Sequence, residues 1–443
     1  MSANASRRAA RPLALAAALT AGARAAEPPA APATPEPTAA PAPHQDATPI
    51  LSAFDDGVQE LKDATSWATP DGDFRLSLDF WFTNDLYVMS LPPPGFIQSG
   101  SQVLDAPRLS GLFTASILDH FDVVFLGNVD RGFDPQDCSI QARADEYFGV
   151  YTPFDDPVLR LKGGTFATCF GQWVNRHFSF QNPLITAPLM YDWEGTVADG
   201  MGGVSATPPL PAFLNRKNLP TNVPAWLPIV WGPSYASGAG ANGHLEWLDW
   251  AFEVKNASLS SRPSEWAFWE RSLAYPTVTG RLGVRPSAEW TLGVSASSGS
   301  YLSQDAIDTL PSRFDASDAT QRVLGADVSW AHGPFEVWSE MAFSTWTTPT
   351  QGALTSFSWF VEGRWKLTPE LWLAGRFNQQ VYDDIASPFG QTPWANDVWR
   401  AEAGIGMKLG RFILLKAQYS RAEEQGPVRQ GQDLGAFQLV ILF

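Results

Sequence analysis

The chain is poor in the residues that build most metal and redox sites: among 443 residues there are two cysteines, Cys138 and Cys169, and five histidines. Two cysteines make neither a disulfide framework nor a Cys/His zinc site, and no C-x-x-C-H haem motif occurs. A single bond between Cys138 and Cys169 stays open in an exported chain, since spacing alone cannot bring them together. No G-x-S-x-G elbow is present, and His44 falls in a Pro/Ala-rich region, His120 and His332 in turns, His244 at a strand start and His177 beside a long connection. Adjacent acids such as Asp155-Asp156 and Asp383-Asp384 read as solvated loop charges. The expectation is a chain without enzyme chemistry, cofactor or bound metal.

Basic residues are scarce too, with 30 Lys and Arg against 46 Asp and Glu, a net charge of −16. That excess of acid argues against nucleic-acid partners. Long apolar runs are also missing: no stretch beyond the first 26 residues nears the ~20 apolar residues that a membrane helix requires. Helical spanning is excluded by this count, but crossing by strands is not. The one apolar run near the start, Pro12-Leu13-Ala14-Leu15-Ala16-Ala17-Ala18-Leu19, is too short to span. Arg7, Arg8 and Arg11 precede it and Ala23-Arg24-Ala25 follows, the pattern of a signal peptide. Residues 1–26 are therefore expected to direct export and to be cleaved.

What the chain has in abundance is aromatics: 19 Trp and 28 Phe beside 9 Tyr. Trp concentrates where an amphipathic ring can sit between lipid headgroups and hydrocarbon. Residues 27–48 are Pro/Ala-rich and suit a semi-extended periplasmic linker. Across 49–65, Leu51, Phe54, Val58 and Leu61 recur at helical spacing and predict a short amphipathic helix, which could be a plug, an oligomer contact or a plain surface helix.

From residue 73 the period changes to two. Phe74, Leu76, Leu78, Phe80 and Phe82 alternate with Arg75, Ser77, Asp79 and Trp81, so one strand face is apolar and the other polar. The same reading predicts strands at 73–83, 108–118, 121–130, 141–151, 157–167, 243–249, 250–260, 276–286, 289–299, 320–331, 334–346, 354–366, 370–380, 397–409, 411–421 and 432–443. Tight turns at Asp119-His120, Pro286-Ser287-Ala288, His332-Gly333, Leu367-Thr368-Pro369 and Leu409-Gly410 alternate with longer connections. Alternation of short and long links is expected of a transmembrane antiparallel β-barrel, here with about sixteen strands across 73–443. The facing that follows puts Arg281, Arg285, Glu336, Glu340, Glu362, Arg364, Arg376, Arg400, Glu402, Lys408 and Lys416 toward the lumen. A wall so charged would not pack as a dry sandwich core. Its slight excess of cations hints at a preference for anions.

The last strand places Phe437, Leu439, Ile441 and Phe443 on one face and ends on phenylalanine. This resembles the closing strand of bacterial outer-membrane β-barrels, and the resemblance implies that those four residues are an assembly signal read by the barrel-assembly machinery.

Residues 168–242 are far too long for a hairpin link and hold no convincing strand. The segment opens with Gly163-Gly164-Thr165-Phe166 and Phe170-Gly171-Gln172-Trp173, and runs on through Asn182-Pro183-Leu184-Ile185. It resembles the corner at which the strands of porins, the channel-forming barrels of Gram-negative outer membranes, pass into a loop that folds back inside. Irregular backbone at membrane depth must be buried in protein or line water. The loop therefore lies inside the barrel as a constriction or above it as a cap. If inside, Arg176, His177, Asp192, Glu194, Arg216 and Lys217 are the candidate constriction charges. The resemblance implies an outer-membrane channel for passive diffusion of small hydrophilic solutes or ions, embedded in outer-membrane lipid and capable of forming a homotrimer. Two other readings remain at this point: a plugged or sheath-like barrel around a partner, and a secreted Trp-rich carbohydrate-active β-protein.

Overall fold

The computed structural model describes residues 49–91, 97, 102–118, 120–132, 140–154, 157–195, 197–199, 226–270, 273–308, 310, 312–348, 352–387, 390–425 and 430–443. The regions read as signal peptide and linker, together with Cys138, Arg216 and Lys217, lie outside the described residues.

Sixteen antiparallel strands among the described residues form one closed wall: β1 (Phe74–Met89), β2 (Val103–Ile117), β3 (Phe121–Asp130), β4 (Gln141–Tyr151), β5 (Arg160–Phe166), β6 (Ala236–Leu245), β7 (Leu248–Lys255), β8 (Thr277–Ser287), β9 (Trp290–Ser300), β10 (Thr320–His332), β11 (Phe335–Thr348), β12 (Gly352–Lys366), β13 (Leu371–Tyr382), β14 (Asp397–Leu409), β15 (Ile413–Gln425) and β16 (Gln430–Leu442). Each pairs with the next, and β16 closes on β1 with Phe437 opposite Leu86 and Ile441 opposite Phe82. Phe443 continues the closure: it exchanges two backbone hydrogen bonds with Phe80, at 2.7 and 2.8 Å, and stacks on its ring. Closure pairs the first strand with the last, so neither is left as a sheet edge.

The period of two is visible as alternating burial. On β12, Glu362 is fully buried while its neighbour Val361 is 39% exposed. Outward positions carry Trp365, Leu373, Phe377, Ile405, Met407 and Phe437, all exposed apolar groups. Inward positions carry Arg376, Asn378, Gln380, Arg400, Glu402, Lys416, Gln418 and Gln438, all buried.

The boundary expected at the end of the long connection is wrong. The stretch 168–242 is not strandless to its end, because β6 begins at Ala236 and not at residue 243. The β6 sequence Ala-Ser-Gly-Ala-Gly-Ala-Asn-Gly-His-Leu has no contrast between large apolar and polar residues, so alternation cannot reveal it. Its small residues answer to packing: a Cβ on Gly238 would lie 2.1 Å from the Val254 carbonyl oxygen on β7.

The helix α1 (Pro49–Ala64) lies at the tight-turn end of the wall. Asp55 accepts the Arg411 backbone N–H at 3.0 Å in the β14–β15 turn, and Lys62 pairs with Asp79 on β1 at 3.0 Å. No helix among the described residues is long and apolar enough to cross a membrane.

The apolar core sits inside the ring. Trp231 and Tyr235 of the inward segment pack with Leu259 and Trp266 from the β7–β8 connection, Tyr301 from β9–β10, Trp394 from β13–β14, and the wall residues Trp346 and Phe360. Long connections thus converge on one dry cluster.

Candidate functional site

An irregular segment inside a barrel lacks a ladder to satisfy its backbone, so each of its N–H and C=O groups needs another partner. Backbone bonds within the segment supply some of these, and inward side chains of the wall supply others. Ala167 donates its N–H to Glu146 at 2.7 Å, Cys169 to Glu253 at 3.1 Å, and Gly171 to Ser295 at 3.1 Å. Glu340 accepts the N–H groups of Gln172, at 2.9 Å, and Trp173, together with the Tyr191 hydroxyl at 2.6 Å. Gln418 accepts from Ile185 at 2.6 Å and Thr186 at 3.3 Å, and Asn378 accepts from Leu189 at 3.3 Å.

The carbonyl oxygens meet cations. Lys416 donates to Ser179, to Asn182 at 2.6 Å and to Leu184 at 3.3 Å. Arg376 reaches the carbonyls of Thr186 at 2.8 Å and Ala187 at 3.1 Å, while pairing with Glu362 at 2.8 Å and Glu402 at 2.5 Å. Arg400 also donates to Ala187 and pairs with Asp192 at 3.3 Å. Residues from β4 to β15 thereby hold one loop.

Glu340, Glu362, Arg376, Arg400, Glu402 and Lys416 are buried, and many of the charges expected to line a lumen are taken up. Arg176, expected at the constriction, is tied to Glu362 and lies 4.4 Å from the Trp338 ring centre. Arg281 pairs with Asp327 at 2.6 Å, Arg285 with Asp249 at 2.7 Å, and Glu336 with both Arg364 and Lys366, the latter at 2.9 Å. Glu194 is buried, and Lys408 is exposed at the tight-turn end. The cation excess that hinted at anion preference is therefore spent, on the β12–β15 side, on carbonyls and carboxylates of the clamp.

Open space remains beside the opposite wall. A cavity of about 210 Å³ lies between β1–β4 and the inward segment. On the wall side, Arg108 bridges Asp85 at 3.7 Å and Asp130 at 3.1 Å, and Arg143 holds Asp130 and Asp145, the latter at 2.7 Å. On the segment side stand Trp173, His177, Phe178, Asn182 and Asp192. His177 fixes the local turn: Nδ1 lies 2.5 Å from the Val174 carbonyl and Nε2 lies 2.6 Å from the Tyr235 hydroxyl. Desolvation pushes its pKa down to about 4, so the ring is neutral at physiological pH. Burial pushes the half-buried Cys169 thiol in the other direction, up, which keeps it protonated and unreactive.

A closed ring of sixteen strands with a long connection folded inside it has counterparts among solved structures. The chain aligns with the outer membrane channel DcaP of Acinetobacter baumannii at a TM-score of 0.55 and 11% identity, covering 86% of this chain and all 100% of that one. It aligns with an anion-selective porin from Comamonas acidovorans at 0.54 and 7% identity, over 84% and 100% of the two chains. For Salmonella typhi OmpF, in its complex with daunomycin, the values are 0.51 and 9%, over 85% and 100%. The fold is that of the outer-membrane porins. No protein-family model and no curated protein sequence matches the chain.

In this porin-fold barrel the sequence reading missed the charges that line the cavity beside β1–β4. The expected first strand stopped at residue 83, but β1 runs on to Met89 and keeps the parity of Trp81 and Thr83 through Asp85 and Tyr87. Arg143 and Asp145, two apart on β4, carried the same signal.

Proposed function

We propose that the protein is an outer-membrane channel for the passive diffusion of small hydrophilic solutes and ions, with its passage displaced from the barrel axis toward β1–β4. The observation that carries this is the cavity beside Asp85, Arg108, Asp130 and Arg143, where charged side chains face open space while the β12–β15 side of the lumen is packed. The exposed apolar face of the wall supports a lipid surrounding. Export by residues 1–26 and assembly through Phe437, Leu439, Ile441 and Phe443 belong to the same proposal.

A passage this small should conduct weakly. In planar bilayers the purified full chain should give discrete current steps well below those of a wide general-diffusion porin. Substituting Arg108→Gln should shift the reversal potential in a salt gradient toward cations, because two carboxylates lose their shared partner. Silence over many verified insertions would overturn the channel in favour of a plugged barrel, a reading to which the dry cluster around Trp231 and Tyr301 lends support.

A further inference from the structure

We infer that a second hollow, at the tight-turn end between β5 and β9, binds a small oxyanion, a phosphate or a carboxylate. The hollow measures about 490 Å³ and lies on the far side of the Trp173–Arg176 turn from the cavity proposed as the passage. Strand register builds it. Arg160 on β5 stands opposite Asn242 on β6, Asn242 opposite Ala251 on β7, and Ala251 opposite Arg281 on β8. All four side chains lie in one row facing inward. Neighbouring strands are ~4.8 Å apart, so the two arginines flank the row at about 14 Å with a small alanine between them. That distance lets two long guanidinium side chains lean over one floor from opposite sides. Gly283, opposite Asp249, keeps the adjoining row low as well.

The lining is rich in donors and short of acceptors. Arg160, Arg281 and Arg285 bring three guanidinium groups, and Asn175 and Asn242 bring amides. The one carboxylate of the lining is Asp249, which already serves Arg285 at 2.7 Å and His244 at 2.8 Å. Arg281 is matched by Asp327 from β10. Arg160 has no carboxylate partner among the described residues. Even with Asp327 included, three guanidinium groups face two carboxylates, and the planar fork of arginine suits the paired oxygens of a phosphate or carboxylate. This is the place where the cation excess of the wall survives the clamp.

The inference deepens the channel reading, on which it rests for the class of solute carried, but its test needs no current. Equilibrium dialysis of labelled inorganic phosphate against the full chain in detergent should give one saturable site. Excess malonate should compete for it if a carboxylate also fits, and excess chloride should not displace it. Arg160→Gln with Arg285→Gln should weaken binding by about tenfold or more. Ala251→Leu, which fills the floor and leaves every charge in place, should do the same. Lys408→Gln, at the same end but on β14, should leave binding unchanged. Heat-modifiable gel mobility checks that each variant is a closed barrel. No saturable site in the folded wild-type chain overturns the inference, as does a loss in K408Q equal to that in R160Q/R285Q, which would mean general attraction to positive charge. Either result leaves a conducting channel standing, and a channel silent in bilayers leaves the dialysis result intact.

Discussion

Arg376→Ala removes a side chain that joins two carboxylates of the wall to the backbone of the segment. Its guanidinium is fully buried, pairs with Glu362 and Glu402, and donates to the carbonyls of Thr186 and Ala187. The alanine variant leaves two carboxylates without this partner in a dry setting and takes the donor from two carbonyls. Breaking a buried ion pair from one side costs about 3–5 kcal/mol. Arg176 and Arg400 still neutralise part of the acid, which puts the expected loss near the lower end. At about 1.4 kcal/mol per tenfold, 3 kcal/mol raises the opening equilibrium of the inward segment by roughly two orders of magnitude. Hydrogen exchange followed by mass spectrometry reads this directly. Peptides covering residues 172–195 should exchange about a hundredfold faster, while peptides from the outer half of the wall, such as β2 and β3, stay as protected as before. Bilayer current should become larger and noisier over the same range of voltage. Replacing Glu362 and Glu402 by glutamine in the R376A background should restore part of the protection, because the stranded charges are then gone. Unchanged exchange in R376A would refute the clamp, and uniform loss of protection across the wall would mean that Arg376 holds the barrel and not the segment.

Two further outcomes follow from the same geometry. Because burial holds the pKa of His177 down to about 4, below its ordinary value of about 6.5, its contribution to segment stability is complete above pH 6.5 and is lost as the pH falls toward 4. Segment exchange corrected for intrinsic rate should therefore rise through that window in the wild type and rise less steeply in His177→Gln; parallel profiles would sink the assignment. Gly171 has φ +70°, and a Cβ there would lie 2.3 Å from the Tyr191 hydroxyl, so Gly171→Ala should cost about 1–3 kcal/mol in thermal unfolding of the folded segment. Gly163→Ala is the control, since nothing lies within 4 Å of its added Cβ. Equal melting of the two variants would refute the strain argument.

The wall was legible in the sequence where side chains contrast strongly. On β12–β16, Trp, Phe and Leu alternate with Arg, Glu, Lys and Gln, and both facing and closure followed from that alternation alone. On β6 the contrast is absent, and the strand is hidden among glycine and alanine. Alternation marks a charged face but says nothing of what its charges hold. Lys416 and Arg376 look like pore-lining cations because their partners are backbone carbonyls some two hundred residues away, and a carbonyl oxygen has no signature in a sequence. Asp85 escaped for a simpler reason: the expected strand was cut to the length of a bilayer crossing, while β1 extends past it at the loop end.

The docking sites of the inward segment are scattered over Thr83 of β1, Glu253 of β7, Ser295 of β9, Glu340 of β11 and Lys416 of β15. The shortest arc that contains them all runs from β7 through β16 to β1, more than half of the ring. The segment can seat itself only when strands made first and strands made last already stand side by side, so its docking is a late step that an incomplete ring cannot imitate. Until then the same inward arginines and glutamates stay hydrated, which keeps an unfinished barrel from collapsing onto itself. One set of side chains thus serves twice in time, first holding the interior open to water and afterwards holding the segment in place.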